Sequence, residues 1–221
     1  MLLELDAGER DDETEALYAQ FDLLNIACGG HAGDAASMAR VLDACARLGL
    51  RAGAHPSYPD RASFGRRTLA IDHAALEASL TQQCAALRSL AEQRGLTIDH
   101  VKPHGALYHD ANANRSLADV VVSGVMAALG VVTMIGPPAG ALRDSARMSG
   151  MLYLREGFAD RGTRADGTLI PRDQPGALIT DAVEASTRAA ELASNSDALC
   201  VHGDTPNALA IARAVRAALI R

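Results

Sequence analysis

The sequence has no tryptophan, and only three phenylalanines and four tyrosines among its 221 residues. A core has to be built mainly from alanine, leucine, valine and isoleucine, which suits helices packed closely on a sheet. No run of about 18 apolar residues is present, which argues against a membrane-spanning helix. The opening MLLELDAGERDD turns acidic after three apolar residues, unlike a secretory signal, so the expected location is the cytoplasm. Cys28, Cys45, Cys84 and Cys200 are scattered without a CxxC pair. Such spacing fits reduced thiols better than a disulfide frame or a zinc knuckle. Basic charge is also short, with 21 Lys and Arg against 27 Asp and Glu and a formal net charge of −6. A nucleic-acid partner, which needs a basic surface for its phosphates, is not expected. There is no GxxxxGK[ST] phosphate loop, no GxGxxG fingerprint and no HExxH pair. Nor does any Ser/Gly/Pro-rich linker divide the chain, so one domain over 1–221 is expected.

What is present is an alternation. Short apolar runs, at Leu2 to Leu5, Leu23 to Ala27, Leu50 to Ala54, Ile98 to Val101, Val131 to Ile135, Met151 to Leu154 and Ala198 to Val201, alternate with longer Ala/Leu-rich segments. This is the rhythm of βα units around a parallel sheet, an α/β fold with seven strands. Asp34 reads as the N-cap of a helix carrying Met38, Val41, Leu42, Cys45 and Leu48 and closing at Gly49. A second helix runs from Leu76 towards Gly95. Asp181 with Glu184 has capping-box spacing, and Thr205 before Pro206 reads as the cap of a last helix. The stretch from Gly157 to Gly176 is too long for a routine connection, and loops of that length are commonly functional or disordered.

Polar residues gather where the apolar runs stop: Asp6, His31, His55, Lys102 with His104, Glu156, and His202 with Asp204. In a parallel sheet, open or closed, those ends share one face, and ligands bind there. Four histidines at the same relative place in four units have no common packing reason. His73, His100 and His109 lack that placement and read as surface or core histidines. Cys28 and Cys200 read as small core residues, and the acidic run Glu9, Asp11, Asp12, Glu13, Glu15 as a solvated helix start.

The motifs NIACGGHAGD (25–34), GAHPSYPDRASFGRR (53–67), VKPHGALY (101–108), FADR with DGTLIPR (158–161, 166–172) and CVHGDTP (200–206) closely resemble the LamB/YcsF family, in order along almost the whole chain. The resemblance implies an irregular seven-stranded parallel βα barrel related to the glycoside hydrolase and polysaccharide deacetylase barrels. It also implies ATP-dependent opening of 5-oxoproline by water to glutamate, with ADP and phosphate, in company with partner subunits B and C. ATP would be a co-substrate activated by those partners, in keeping with the missing phosphate loop. Three positions depart from the family pattern: Glu4 stands for Asn, Gly30 for Phe, and Thr163 for an aromatic. All three are expected on the rim of the site, where they would bear on substrate fit.

A lactam is a resonance-stabilised amide, so the site needs an activated carbonyl, a base for water, cations for anionic groups and a proton donor for nitrogen. Asp6 or Asp204 is expected as base or its orienter, His104 and His202 as proton-transfer groups, and Lys102 with Arg161 as anion clamps. His31, His55 and Glu156 are expected to position substrate or water. A second reading is a metal-dependent hydrolase of the deacetylase type acting on a small amide or sugar, since an Asp and several His at a barrel mouth can hold a divalent ion. A third is a binding subunit that shapes a complex. Self-association into a homo-oligomer is left open by the sequence.

Overall fold

A computed structural model describes residues 1–164 and 168–219. Seven strands form a closed parallel barrel: β1 (Leu2–Ala7), β2 (Leu23–Ala27), β3 (Arg51–His55), β4 (Ile98–Val101), β5 (Thr133–Gly136), β6 (Tyr153–Phe158) and β7 (Ala198–Cys200). They pair in sequence order, and β1 closes the ring on β7 with Leu2 opposite Ala198. The helices are α1 (Glu15–Tyr18), α2 (Ala35–Leu48), α3 (His73–Glu92), α4 (Gly105–Ala113), α5 (Arg115–Leu129), α6 (Ala141–Met148), α7 (Ala182–Leu192) and α8 (Ala208–Leu219). The seven strands read from the sequence, and the irregular barrel that the family resemblance implies, are therefore the fold. Among the described residues no helix is long and apolar enough to cross a membrane.

The apolar core lies between sheet and helices. Along β1 the side chains alternate, so Leu3, Leu5 and Ala7 join a cluster with Val41, Leu42 and Cys45 of α2. Glu4 and Asp6 occupy the other face, towards the barrel axis, and both are buried. Gly124 lets α5 lie close on α3, because a Cβ there would stand 3.0 Å from the Glu77 carbonyl oxygen. Gly53 serves the interior in the same way: a Cβ would overlap the His100 ring. His100 fills that space as a core histidine, its Nδ1 2.6 Å from Asp99.

Caps follow the sequence in most places. Asp34 accepts from the Ser37 amide while the Ser37 hydroxyl accepts from the Asp34 amide, and Gly49 closes α2 at φ 67°. Asp181 accepts from the amides of Val183 and Glu184. Thr205 is different. Helix α8 starts at Ala208, and the Thr205 hydroxyl instead donates to Asp160. Strand β5 begins at Thr133, leaving Val131 63 % exposed. Strand β6 runs on to Phe158, so Glu156 and Gly157 lie within it. The long connection that follows folds back on itself through antiparallel bridges between Arg161 and Leu178 and between Thr163 and Leu169. Asp166 and Gly167, the first residues of the DGTLIPR motif, lie outside the described residues with Ala165.

Candidate active site

The interior of the barrel carries charge. Lys102, the residue after β4, is buried with its Nζ 2.9 Å from Asp6 Oδ1, 2.5 Å from Glu156 Oε1 and 3.5 Å from Glu4 Oε1. Cys200 Sγ lies 3.3 Å away, and Asn25 from β2 donates to both Glu4 (3.1 Å) and Asp6 (3.0 Å). One ammonium thus faces three carboxyl groups. Burial pushes Asp6 up, but the charges of His55 and Lys102 outweigh it and hold the carboxyl well below the usual range. Glu156 goes the other way: burial, with Glu4 and Asp6 adding to it against Lys102, raises it well above that range. The Lys102 contact to Glu156 is close but not aligned as a hydrogen bond, and neither Glu156 oxygen has a directed donor. Burial thus favours the neutral form of Glu156, against the pull of Lys102. Burial also raises the Cys200 thiol, which keeps it from acting as a thiolate.

Above this floor stand three histidines and Glu9. Glu9 Oε1 lies 2.8 Å from His31 Nε2, 3.2 Å from His104 Nδ1 and 3.6 Å from His55 Nε2. His55 Nδ1 is 2.7 Å from the Lys102 carbonyl, and His104 Nε2 is 3.0 Å from the Phe64 carbonyl. A carbonyl only accepts, so both ring nitrogens donate, and this sets the tautomers. Phe64 has φ 55°, one of two non-glycine residues with positive φ among those described, and this turn aims its carbonyl at His104. Gly65 follows at φ 61°, where a Cβ would crowd His31 and His104. Burial drives His31 down to about 3 and lowers His104 as well. His55 is raised, because Asp6 at 3.3 Å overcomes its burial.

A third group lies beside these. His202, after β7, places Nδ1 2.9 Å from Asp160 Oδ1, and its backbone amide donates to Asp160 Oδ2 at 2.9 Å. Burial raises Asp160, but His202 and Thr205 more than offset that, so it stays ionised below its usual range. The His202 Nε2 atom is left pointing away from this carboxylate, 4.0 Å from Asp6 Oδ2.

These groups open on a cavity of about 630 Å³, of the size small-molecule sites usually have. Asp6, Lys102, His55, His104, His202 and Arg161 line it. His31 and Glu156 stand behind that wall, in contact with Glu9 and Lys102 respectively. Arg161 donates to the carbonyls of Ala177 and Ile170 and has no ion pair with a carboxylate among the described residues. Burial and neighbouring Arg172 lower it to about 10, so it remains a cation at neutral pH. Asp204 stands elsewhere, 20 % exposed and held between Arg66 (2.8 Å) and Arg172 (2.9 Å). It ties the long connection to the turn after β3.

Three residues at the site are given no site role by the sequence, and the reading of Glu9 as solvated is corrected, since its side chain is 8% exposed. Glu9 belongs to an acidic run that reads as solvated. In the structure the Glu13 carboxylate accepts from the amides of Gly8, Glu9 and Arg10, and this closed turn swings Glu9 inward. Its signal is the Asp-Ala-Gly-Glu opening that ends on it. Asp160 lies inside the FADR motif, and Asn25 opens NIACGG. The three departures from the family pattern are not on the rim either, since none lines the cavity. Glu4 is at the buried floor. Gly30 packs where a Cβ would overlap Ser57 Oγ and lie 2.5 Å from Gln83 Oε1, and Gln83 fills the volume. Thr163 accepts from Arg188.

The LamB/YcsF family profile matches residues 6–221. A protein of Streptomyces griseus that bears the name of the A subunit of 5-oxoprolinase is 43% identical over 94% of this chain and 88% of its own length. One of the same name from Streptomyces coelicolor is 41% identical with the same coverage. Among solved structures, the crystal structure of a lactam utilization protein from Thermus thermophilus superposes with a TM-score of 0.91 at 32% identity, covering 100% of this chain and 96% of that one. Motifs, barrel and relatives agree, and the chain belongs to the LamB/YcsF family.

Proposed function

We propose that this chain is the A component of an ATP-dependent 5-oxoprolinase, which opens the lactam of 5-oxoproline to glutamate together with partner subunits B and C. The observation that carries it is the pairing, on one cavity, of a histidine oriented by an ionised carboxylate, His202 with Asp160, and a guanidinium without a carboxylate partner among the described residues, Arg161. The names of the relatives supply the substrate class.

Arg161 takes the substrate carboxylate, the one permanent charge of the ligand. The ring amide is unreactive until its oxygen is converted to a leaving phosphate, and that phosphoryl transfer from ATP falls to the partner subunits. Water then bonds to the activated carbon and the ring C–N bond breaks, leaving an acyl phosphate, which a second water cleaves to the carboxylate and free phosphate. His202 Nε2 accepts the water proton, Asp160 stabilising the imidazolium, and a proton is returned to the freed nitrogen. Lys102 already directs its N–H groups at Glu4, Asp6 and Cys200, so its part is to keep Asp6 ionised beneath the substrate. Asp204, locked by two arginines, holds the wall of the cavity in place.

The assay is glutamate formation from 5-oxoproline and ATP, with and without the two partner subunits. Turnover is expected only in the complex, and His202→Ala and Arg161→Ala are expected to abolish it or raise KM sharply while leaving assembly intact. Unchanged turnover in both folded variants, with loss of activity only from surface changes that prevent assembly, would make the chain a scaffold instead.

A further inference from the structure

The hydrogen bonds around His55 and His104 leave an electrostatic gap. Each ring donates one N–H to a backbone carbonyl, so in neutral rings His55 Nε2 and His104 Nδ1 both present lone pairs, yet these atoms are only 3.0 Å apart. Glu9 Oε1, also an acceptor, is 3.6 and 3.2 Å from them. Asp6 Oδ2, a further acceptor, lies 3.3 Å from His55 Nε2, so the lone pairs gathered here need a cation among them, either a proton on His55 or a metal ion. The three separations, 3.0, 3.2 and 3.6 Å, bracket the roughly 3.3 Å edge of a tetrahedron of N and O ligands about 2.0–2.1 Å from a zinc ion.

We infer that Glu9, His55 and His104 form a binding site for one divalent transition-metal ion of the zinc type, with its remaining coordination position directed to the cavity. All three residues line that cavity. Two imidazoles and one carboxylate suit zinc better than magnesium or calcium, which prefer oxygen alone. The surroundings are those of a ligand set. Metal-bound histidines usually give their second N–H to a carbonyl or carboxylate, as both do here, and His31 steadies Glu9 from outside by donating to it at 2.8 Å. His31 is not itself a fourth ligand. Its ring is stacked on His104 at 3.6 Å and 3° between planes, so the in-plane lone pairs of the two rings run parallel and cannot meet at one ion. A proton shared between His55 and His104 is the other cation that fits, and it would leave metal with no place to bind. The inference concerns these ligands alone and stands apart from the ring-opening reaction.

The test is metal binding by tag-free, chelator-stripped full chain. Zn²⁺ is titrated against a chromophoric chelator, and Co²⁺ is followed by its visible d–d bands. One ion per chain is expected, with the intense bands of four- or five-coordinate cobalt and release of protons on binding. Glu9→Gln and His104→Ala should each weaken binding by more than about 100-fold, beyond the usual cost of an outer-shell change, with circular dichroism unchanged. The exposed His73→Ala should bind like the parent. No saturable binding up to millimolar metal would overturn the inference, and so would binding of equal strength in the Glu9→Gln and His104→Ala variants. A folded Glu9→Gln protein keeps the question decidable if His104→Ala does not fold.

Discussion

Replacing Lys102 by methionine removes the ammonium shared by Glu4, Asp6 and Glu156 while keeping most of the side-chain volume. Breaking a buried ion pair on one side costs about 3–5 kcal/mol, because a charge is left without compensation. The cost must depend on pH. In the parent, burial raises Asp6 but His55 and Lys102 hold it below its unfolded value, so Asp6 adds stability above about pH 4 and loses it only in stronger acid. In the variant burial prevails and the folded value rises above the unfolded one. A carboxyl raised in this way keeps the fold stable below its unfolded pKa and takes stability away as pH climbs towards the folded one. At pH 8, where the carboxyl is charged, the lower end of the cost of the broken pair, about 3 kcal/mol, applies. At about 2–4 °C per kcal/mol for a chain of this size, thermal melting should fall by about 6–12 °C at pH 8 and by clearly less at pH 5. Differential scanning calorimetry across pH 5–8 measures this directly. A variant that melts within about 2 °C of the parent at pH 8, or whose deficit does not grow with pH, would refute the assignment of Lys102 as the cation that keeps Asp6 charged.

Glu156→Gln should be mild, within about 1 kcal/mol, since burial already favours the neutral form of the carboxyl it replaces; chemical denaturation would detect a larger loss. Asp160→Asn should leave the fold near parent stability yet lower kcat of the assembled enzyme by about 10²–10⁴-fold, because His202 loses the acceptor that fixes its tautomer. Gly53→Ala should destabilise by about 1–3 kcal/mol in urea unfolding, the added methyl overlapping the buried His100 ring. Asp34→Ala, outside the site, should cost about 1 kcal/mol by the same measurement through the lost cap of α2.

The strands are legible in the sequence because each carries a short apolar run, and the helices because caps and apolar spacing agree, as at Asp34, Val41 and Gly49. Strand ends are harder. A polar residue after an apolar run reads as the end of a strand, but in this barrel every second residue faces a charged interior, so Asp6 and Glu156 continue the strands whose ends they mimic. Thr205 followed by Pro206 has every local mark of a helix cap. Its hydroxyl is drawn instead to Asp160, an ionised acceptor brought near only by barrel closure. Glu9 is hidden for a related reason: among Asp11, Asp12 and Glu13 it has the composition of a solvated surface, and only the amides gathered by Glu13 turn it inward.

Where these misreadings fall has a physical meaning. A barrel of this kind usually fills its interior with branched apolar side chains. Here Glu4, Asp6, Asn25, Lys102, Glu156 and Cys200 occupy it. Buried ion networks of this sort seldom add stability over an apolar replacement, because desolvation cancels most of the attraction. Stability comes from the other layer, where Leu3, Leu5, Val41, Leu42, Leu76, Leu80 and Val125 pack sheet against helices. The two faces of the same strands are therefore divided, one built to hold the fold and one to hold charges in fixed relation. A local rule reads the first face well and the second poorly, because the second is organised by contacts between residues as far apart as Asp6 and Lys102 or Asp160 and His202. The failure of the local rules thus marks the same residues that line or support the cavity.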